Sequence, residues 1–252
     1  MKITKHYRLW LVIWSIFACQ SGVYASDKEY LAELNILYQE EKHNQLYQRL
    51  LFPQSQSETK DSLFWLRQQF KAGEGGARLA YVYAARLNGS GIKETAIFAY
   101  VVAMLTARMD AARCVDLDAP LEKIVQWEKG LRHIEQAYAK LPLGEQNQLL
   151  SLAAKWEKKT RQRGKDMWLC SGGQAQFDAY YRKYGFDSEP PLKIITVPFS
   201  SDKSVIIDIK EIPPEFIGDS EWLSMQEEVR KKLRAELFNK RKQYLSGKKQ
   251  SG

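Results

Sequence analysis

The stretch GARLAYVYAARLNGSGIKETAIFAYVVAMLTARMDAARC, residues 76–114, decides the architecture. Its first half carries Ala77, Ala80 and Ala84 three and four apart, and its second half carries Ala99, Ala103, Ala107 and Ala111 at steps of four. Residues at those spacings share one face of an α-helix. Between the halves, Asn88-Gly89-Ser90-Gly91 breaks the periodicity, as a tight turn requires. The pattern predicts two helices, 76–87 and 93–114, folded back on each other. Small alanine faces let their axes approach closely, with Leu79, Tyr83, Tyr100 and Leu105 filling the flanks.

Working outward, the same periodicity predicts helices over 27–52, from Asp61 or Ser62 to Gly73, over 120–141, over 145–163 and over 174–184. Residues 53–59, rich in Gln and Ser, read as a loop. The DxD spacing of Asp116 and Asp118 reads as a helix start, with Asp118 capping ahead of Ala119 and Pro120. After Pro190-Pro191 the period changes to two. Ile195, Val197 and Phe199, then Val205, Ile207 and Ile209, alternate with polar neighbours and predict a β-hairpin. A last helix over 220–244 places Trp222, Met225, Val229, Leu233 and Leu237 on one stripe.

Around the deciding stretch, a longer order emerges: Trp65, Gly73, Ala77, Leu79, Ala80, Tyr83, Gly89, Gly91, Ile92, Ala99 and Ala107. It resembles the SEL-type subclass of tetratricopeptide-like repeats, in which an alanine and leucine helix, a Gly-x-Gly turn and a second small-residue helix recur. The resemblance covers residues 60–110, one repeat and half of a preceding one. Thr95 replaces the usual acid after the turn, Val102 takes the aromatic position, and the closing glycine is missing after Asp110. It implies a degenerate or capped array that binds a partner and carries no catalytic residues of its own. The expected fold is therefore mainly α: antiparallel helical hairpins stacked as a short repeat-like α-solenoid, with a C-terminal β-hairpin and a terminal amphipathic helix.

The chain has 252 residues, 38 Lys and Arg against 30 Asp and Glu, and an apolar fraction of 44%. Those values exclude a collagen, a disulfide-dense mini-scaffold and a multi-span membrane protein. The first 25 residues combine Lys2, Lys5 and Arg8 with an apolar run from Leu9 to Ala18 and a polar exit ending in Ala25 before Ser26, the form of a secretory signal. Ile16-Phe17-Ala18-Cys19 offers a second processing route, in which Cys19 is acylated. The expected location is periplasmic or secreted, or lipid-anchored through Cys19. The expected divisions are signal 1–25, helical repeat-like domain 26–186, hairpin appendage 187–218, and basic amphipathic helix and tail 219–252.

Cleavage after Ala25 leaves Cys114 and Cys170, an even pair in a chain bound for an oxidising space. That pattern points to one disulfide, the alternative being two separate buried thiols. The cleavage also lowers the net charge from +8 to +5, and residues 230–252 alone hold nine Lys or Arg and one acid. Arg230, Lys231, Lys232, Arg234, Lys240, Arg241 and Lys242 are therefore candidates for an anionic surface.

No P-loop, nucleophile elbow, zinc-protease helix or EF-hand loop occurs, and Gly89-x-Gly91 lacks the third glycine of a dinucleotide turn. No cofactor, metal or nucleic acid is expected. The expected function is a non-catalytic scaffold for another envelope protein, with Tyr83, Tyr100, Ile195, Val197 and Phe199 as candidate contact residues. Two alternatives stay open. One is a peripheral envelope protein held on anionic lipid or polymer by its basic helix, and the other is a carboxylate-dependent hydrolase of envelope polymers.

Overall fold

The computed structural model describes residues 28–160, 164–196, 199, 203–207, 209 and 211–250, with only the backbone course given for 195–196, 203–207 and 238–250. Residues 1–25 with Cys19 and Ala25, and Ser26 and Val197, lie outside the described residues, as do the side chains of Ile195, Lys240, Arg241 and Lys242. The described chain is mainly helical.

Helix α1 (Lys28–Gln39) and helix α2 (His43–Leu51) replace the single helix expected over 27–52. The chain leaves α1 through Glu41, whose φ is +54°. Glu41 N donates to Tyr38 O at 3.2 Å and Lys42 N to Leu37 O at 2.9 Å, the paired bonds of a Schellman ending. Glycine usually marks that left-handed position, and here a glutamate holds it.

Helix α3 (Gln56–Ala72) begins several residues before Asp61. Ser55 accepts from Glu58 N at 3.0 Å, while Glu58 Oε2 accepts from Gln54 N at 2.7 Å, so the stretch read as a loop is a reciprocal helix cap. Helix α3 ends at Gly73, where φ is +76°.

Helices α4 (Gly76–Gly89) and α5 (Lys93–Ala111) fold back on each other across a three-residue turn, as the alanine rows predict. Ala84, Ala99 and Ala103 are fully buried. Helix α5 is apolar on nearly every side, which is the signature of a helix enclosed by others. It packs against α4, α6 (Ala119–Gly130), α7 (Arg132–Ala139) and α8 (Leu143–Lys159). The helix expected over 120–141 is thus two, divided at the buried Leu131 with φ −110°. Tyr81, Arg108 and Glu128 tie α4, α5 and α6 together. Tyr81 donates to Glu128 Oε1 at 3.1 Å, and the Arg108 guanidinium grips both carboxylate oxygens at 2.5 and 3.0 Å.

A short helix α9 (Met167–Cys170) delivers Cys170 to Cys114 at the end of α5, and the two are at disulfide distance with Cα atoms 5.3 Å apart. Helix α10 (Gln174–Tyr184) follows. Asp116, not Asp118, serves the helix starts here. Its Oδ1 accepts from Asp118 N and Ala119 N at 3.0 and 3.3 Å, its Oδ2 accepts from Ala175 N at 3.1 Å, and Asp118 makes no side-chain cap.

Strands β1 (Leu192–Thr196) and β2 (Lys203–Ile207) pair antiparallel, with Leu192 opposite Ile207 and Ile194 opposite Val205. Directly opposed residues share a face. Leu192 and Ile194, one residue out of step with the expected apolar set, are each 67% exposed. Phe199 instead lies edge-on against Trp127, ring centres 5.2 Å apart.

Helix α11 (Asp219–Gln250) closes the described chain and packs on α5 and α8. Its buried stripe runs through Trp222, Gln226, Arg230 and Leu237, so two polar residues occupy turns where Met225 and Val229 had been expected.

Candidate functional site

The site is built from three turns brought to one end of α4. Tyr38, His43 and Tyr47 come from the α1–α2 break, Gly73 to Gly76 and Arg78 from the α3–α4 turn, and Lys165 to Trp168 from the approach to α9. Together they enclose a cleft of about 720 Å³, within the range of small-ligand pockets. The turn is possible because Gly73, Gly75 and Gly76 all have positive φ, +76°, +71° and +59°. A Cβ on Gly75 would run into Leu79.

Arg78 is the centre of the cleft. Its guanidinium lies over the Tyr47 ring at 5.5 Å and the Trp168 ring at 4.7 Å. Asp166 Oδ1 stands 3.6 Å from Arg78 Nη2, and the same oxygen caps α9 by accepting from Leu169 N at 3.1 Å. Arg78 Nε and His43 Nδ1 are buried without a hydrogen-bond partner. Burial lowers the pKa of His43, and the nearby Arg78 lowers it further against smaller opposing pulls from Asp166 and Glu41. The acids of the cleft are more occupied: Glu74 Oε2 accepts from Tyr38 Oη at 3.3 Å, and Asp166 has its cap.

Behind this wall, Lys123 points its ammonium at the C-terminal end of α9. It donates to Trp168 O at 2.7 Å and Ser171 Oγ at 3.1 Å, and also to Ser171 O. Burial pushes Lys123 down to about 8, with Asp166 pulling upward and Arg78 downward. The segment that walls the cleft is thereby held from three sides: by Arg78, by Lys123 and by the bond from Cys170 to Cys114.

The residues singled out from sequence are distributed differently. Tyr83 and Tyr100 are 4% and 0% exposed and pack the interior, because their helix faces are enclosed by neighbouring helices, so neither presents a contact surface. Phe199 is spent on Trp127. Arg230 is a buried residue facing Glu157, with Nε to Oε2 at 2.5 Å and Nη2 to Oε1 at 3.2 Å, and so is removed from any anionic surface. Lys231, Lys232 and Arg234 are exposed, Arg234 donating to Ser151 Oγ at 3.1 Å.

His43, Arg78, Lys123, Asp166 and Trp168 were not read as a set from sequence, since 125 positions separate the first from the last. The one local signal is Gly73-Glu74-Gly75-Gly76 running straight into a helix, an arrangement that leaves helix amides open to a ligand. Among the described residues, no cluster of His, Cys, Asp or Glu could hold a metal ion, and no helix is long and apolar enough to cross a membrane. The chain matches no family model, no curated protein and no solved structure.

Proposed function

We propose that the chain is an exported, non-catalytic interaction scaffold of the helical-repeat type, and that it takes its partner in the cleft at the N-terminal end of α4. The observation that carries this reading is the cleft itself: about 720 Å³, walled by aromatic rings, with two buried nitrogens, Arg78 Nε and His43 Nδ1, left without partners. The alanine-lined α4–α5 pair and the repeat resemblance over 60–110 support the scaffold reading, and the Cys114–Cys170 pair supports an oxidising destination.

A photo-crosslinking residue placed at Glu41 or Lys165, on the lip, should capture one discrete envelope partner. The same residue at exposed Gln136 should not. Adducts that are absent from the lip, or identical from Gln136, would refute the reading.

A second reading draws on α11. The helix continues to Gln250, past Leu237, and residues 238–252 hold five Lys or Arg and no acid. An anionic membrane or polymer surface suits such a helix. Deleting 238–252 should release the protein from anionic vesicles at low salt, and unchanged sedimentation of the truncated form would dismiss this role.

A further inference from the structure

Arg78 is the third residue of α4, and its placement is unfavourable on two counts. A guanidinium in the first turn opposes the positive end of the helix macrodipole. Helix α4 has no acid in that turn and no capping side chain at Gly75, so nothing on its own helix offsets the charge. The same guanidinium is almost wholly enclosed, only 12% of the side chain being exposed, and its Nε has no acceptor. Its ionic neighbour Asp166 stands 3.6 Å away, beyond hydrogen-bond reach, with the facing oxygen already accepting from Leu169 N. A buried donor left unmade is costly, and more so when charged.

His43 Nδ1 adds a second buried nitrogen without a partner on the wall of the same cleft. The first-turn amides of α4 add further donors, since helix starts leave them without intrahelical acceptors. One anion at this point would answer all of these groups. A carboxylate matches the fork of a guanidinium, and the ends of polypeptides are known to be captured by backbone amides of this kind.

The acids of the cleft select within that class. Glu41, Glu74, Asp110 and Asp166 also line it, and Asp110 Oδ2 lies 3.8 Å from where a Cβ on Gly76 would stand. They repel a dianion more than a monoanion. We propose that the floor of the cleft is a carboxylate-binding site, with Arg78 as its principal ligand and His43 and the first-turn amides of α4 as additional donors. It rests on the cleft being the partner's site, and the C-terminal carboxylate of that partner is the ligand whose side chains the rings of Tyr38, Tyr47 and Trp168 would flank.

The test follows the Arg78 Nε–H resonance of the 15N-labelled full chain, at constant ionic strength set with chloride. The probes are the tripeptide N-acetyl-Ala-Ala-Phe with a free carboxylate, its C-terminal amide, acetate and inorganic phosphate. The free peptide should give a saturable shift, with the amide and phosphate at least tenfold weaker. Acetate weaker than the peptide assigns the source to a chain end, whereas acetate equal to it assigns a free small carboxylate. R78M should abolish the saturable response at the Trp168 indole N–H, and R78K should retain part of it. Equal shifts from peptide and amide, tighter phosphate binding, reproduction by chloride or absence of saturation would each overturn the proposal. Should R78M fail to fold, the comparison of peptide with amide on the unmodified chain decides alone. If the carboxylate response is missing but the crosslink from Glu41 and Lys165 persists, the ligand chemistry falls and the scaffold stands; loss of both removes both.

Discussion

Asp116 shows how much one side chain can organise. It accepts amides at the starts of α6 and α10 at once. Burial raises its pKa, but the donated N–H groups of Ala175, Asp118, Ala119 and Gln174 outweigh that and hold it below the usual value. A carboxylate depressed in the folded state stabilises fully above its unfolded pKa, about 4, and loses that contribution as pH falls through the lower folded value. Asp116→Ala should cost about 1–2 kcal/mol in urea denaturation at neutral pH. Asp116→Asn should show a shallower loss of stability below about pH 4 than the parent; an identical acid slope would mean the amides do not hold the charge. Gly73 makes a second point at this scale. Its φ is +76° and an added Cβ would meet Thr160, so Gly73→Ala should cost more than about 1 kcal/mol. Gly89 has open space around it, and Gly89→Ala should lie within about 0.5 kcal/mol of neutral in the same denaturation series.

Among the elements, α11 is the informative case. Its attachment to α8 runs through Arg230 and Glu157, which are 7% and 1% exposed at the side chain. Removing one partner strands the other charge in the interior. Arg230→Met should cost about 3–5 kcal/mol, and the double change Arg230→Met with Glu157→Leu should recover most of it, read as shifts in the urea midpoint. An additive double variant would show that the pair is not coupled. The sequence made α11 legible as amphipathic, but it counted Arg230 among the surface charges. Trp222, Gln226 and Arg230, at steps of four, belong to one face, and the buried Glu157 seventy-three positions away, helped by Glu227 on the same helix, makes that face tolerable for an arginine. Helix ends show the same limit. Ser55 with Glu58 was a readable cap, whereas the left-handed Glu41 carried no glycine to announce the break.

Across the whole molecule, the 56-residue separation from Cys114 to Cys170 closes a large loop, and the bond reaches the segment that walls the cleft. Replacing both cysteines with alanine should lower stability by about 4 kcal/mol in the chain-entropy account. The same loss should appear when the parent is denatured with a reductant present; stability unaffected by reductant would exclude a structural bond. Lys123 and Arg78 hold the same wall by other means, so that wall depends on three separate long-range contacts, while the glycine turn before α4 is the local part of the cleft.

Periodicity by itself determined the helical class, the α4–α5 pair and the position of the terminal helix, because alanine rows and turn glycines act over a few residues. The pairing of Cys114 with Cys170 was an expectation resting on removal of Cys19 with the first 25 residues. Tertiary packing alone decided which aromatics are hidden, which cations are buried and where a cleft opens. Tyr83 and Tyr100 were candidate contact residues and Arg230 a candidate surface charge, yet all three are buried. Burial and electrostatic pairing are set by distances through space, and those are not written in the spacing along the chain.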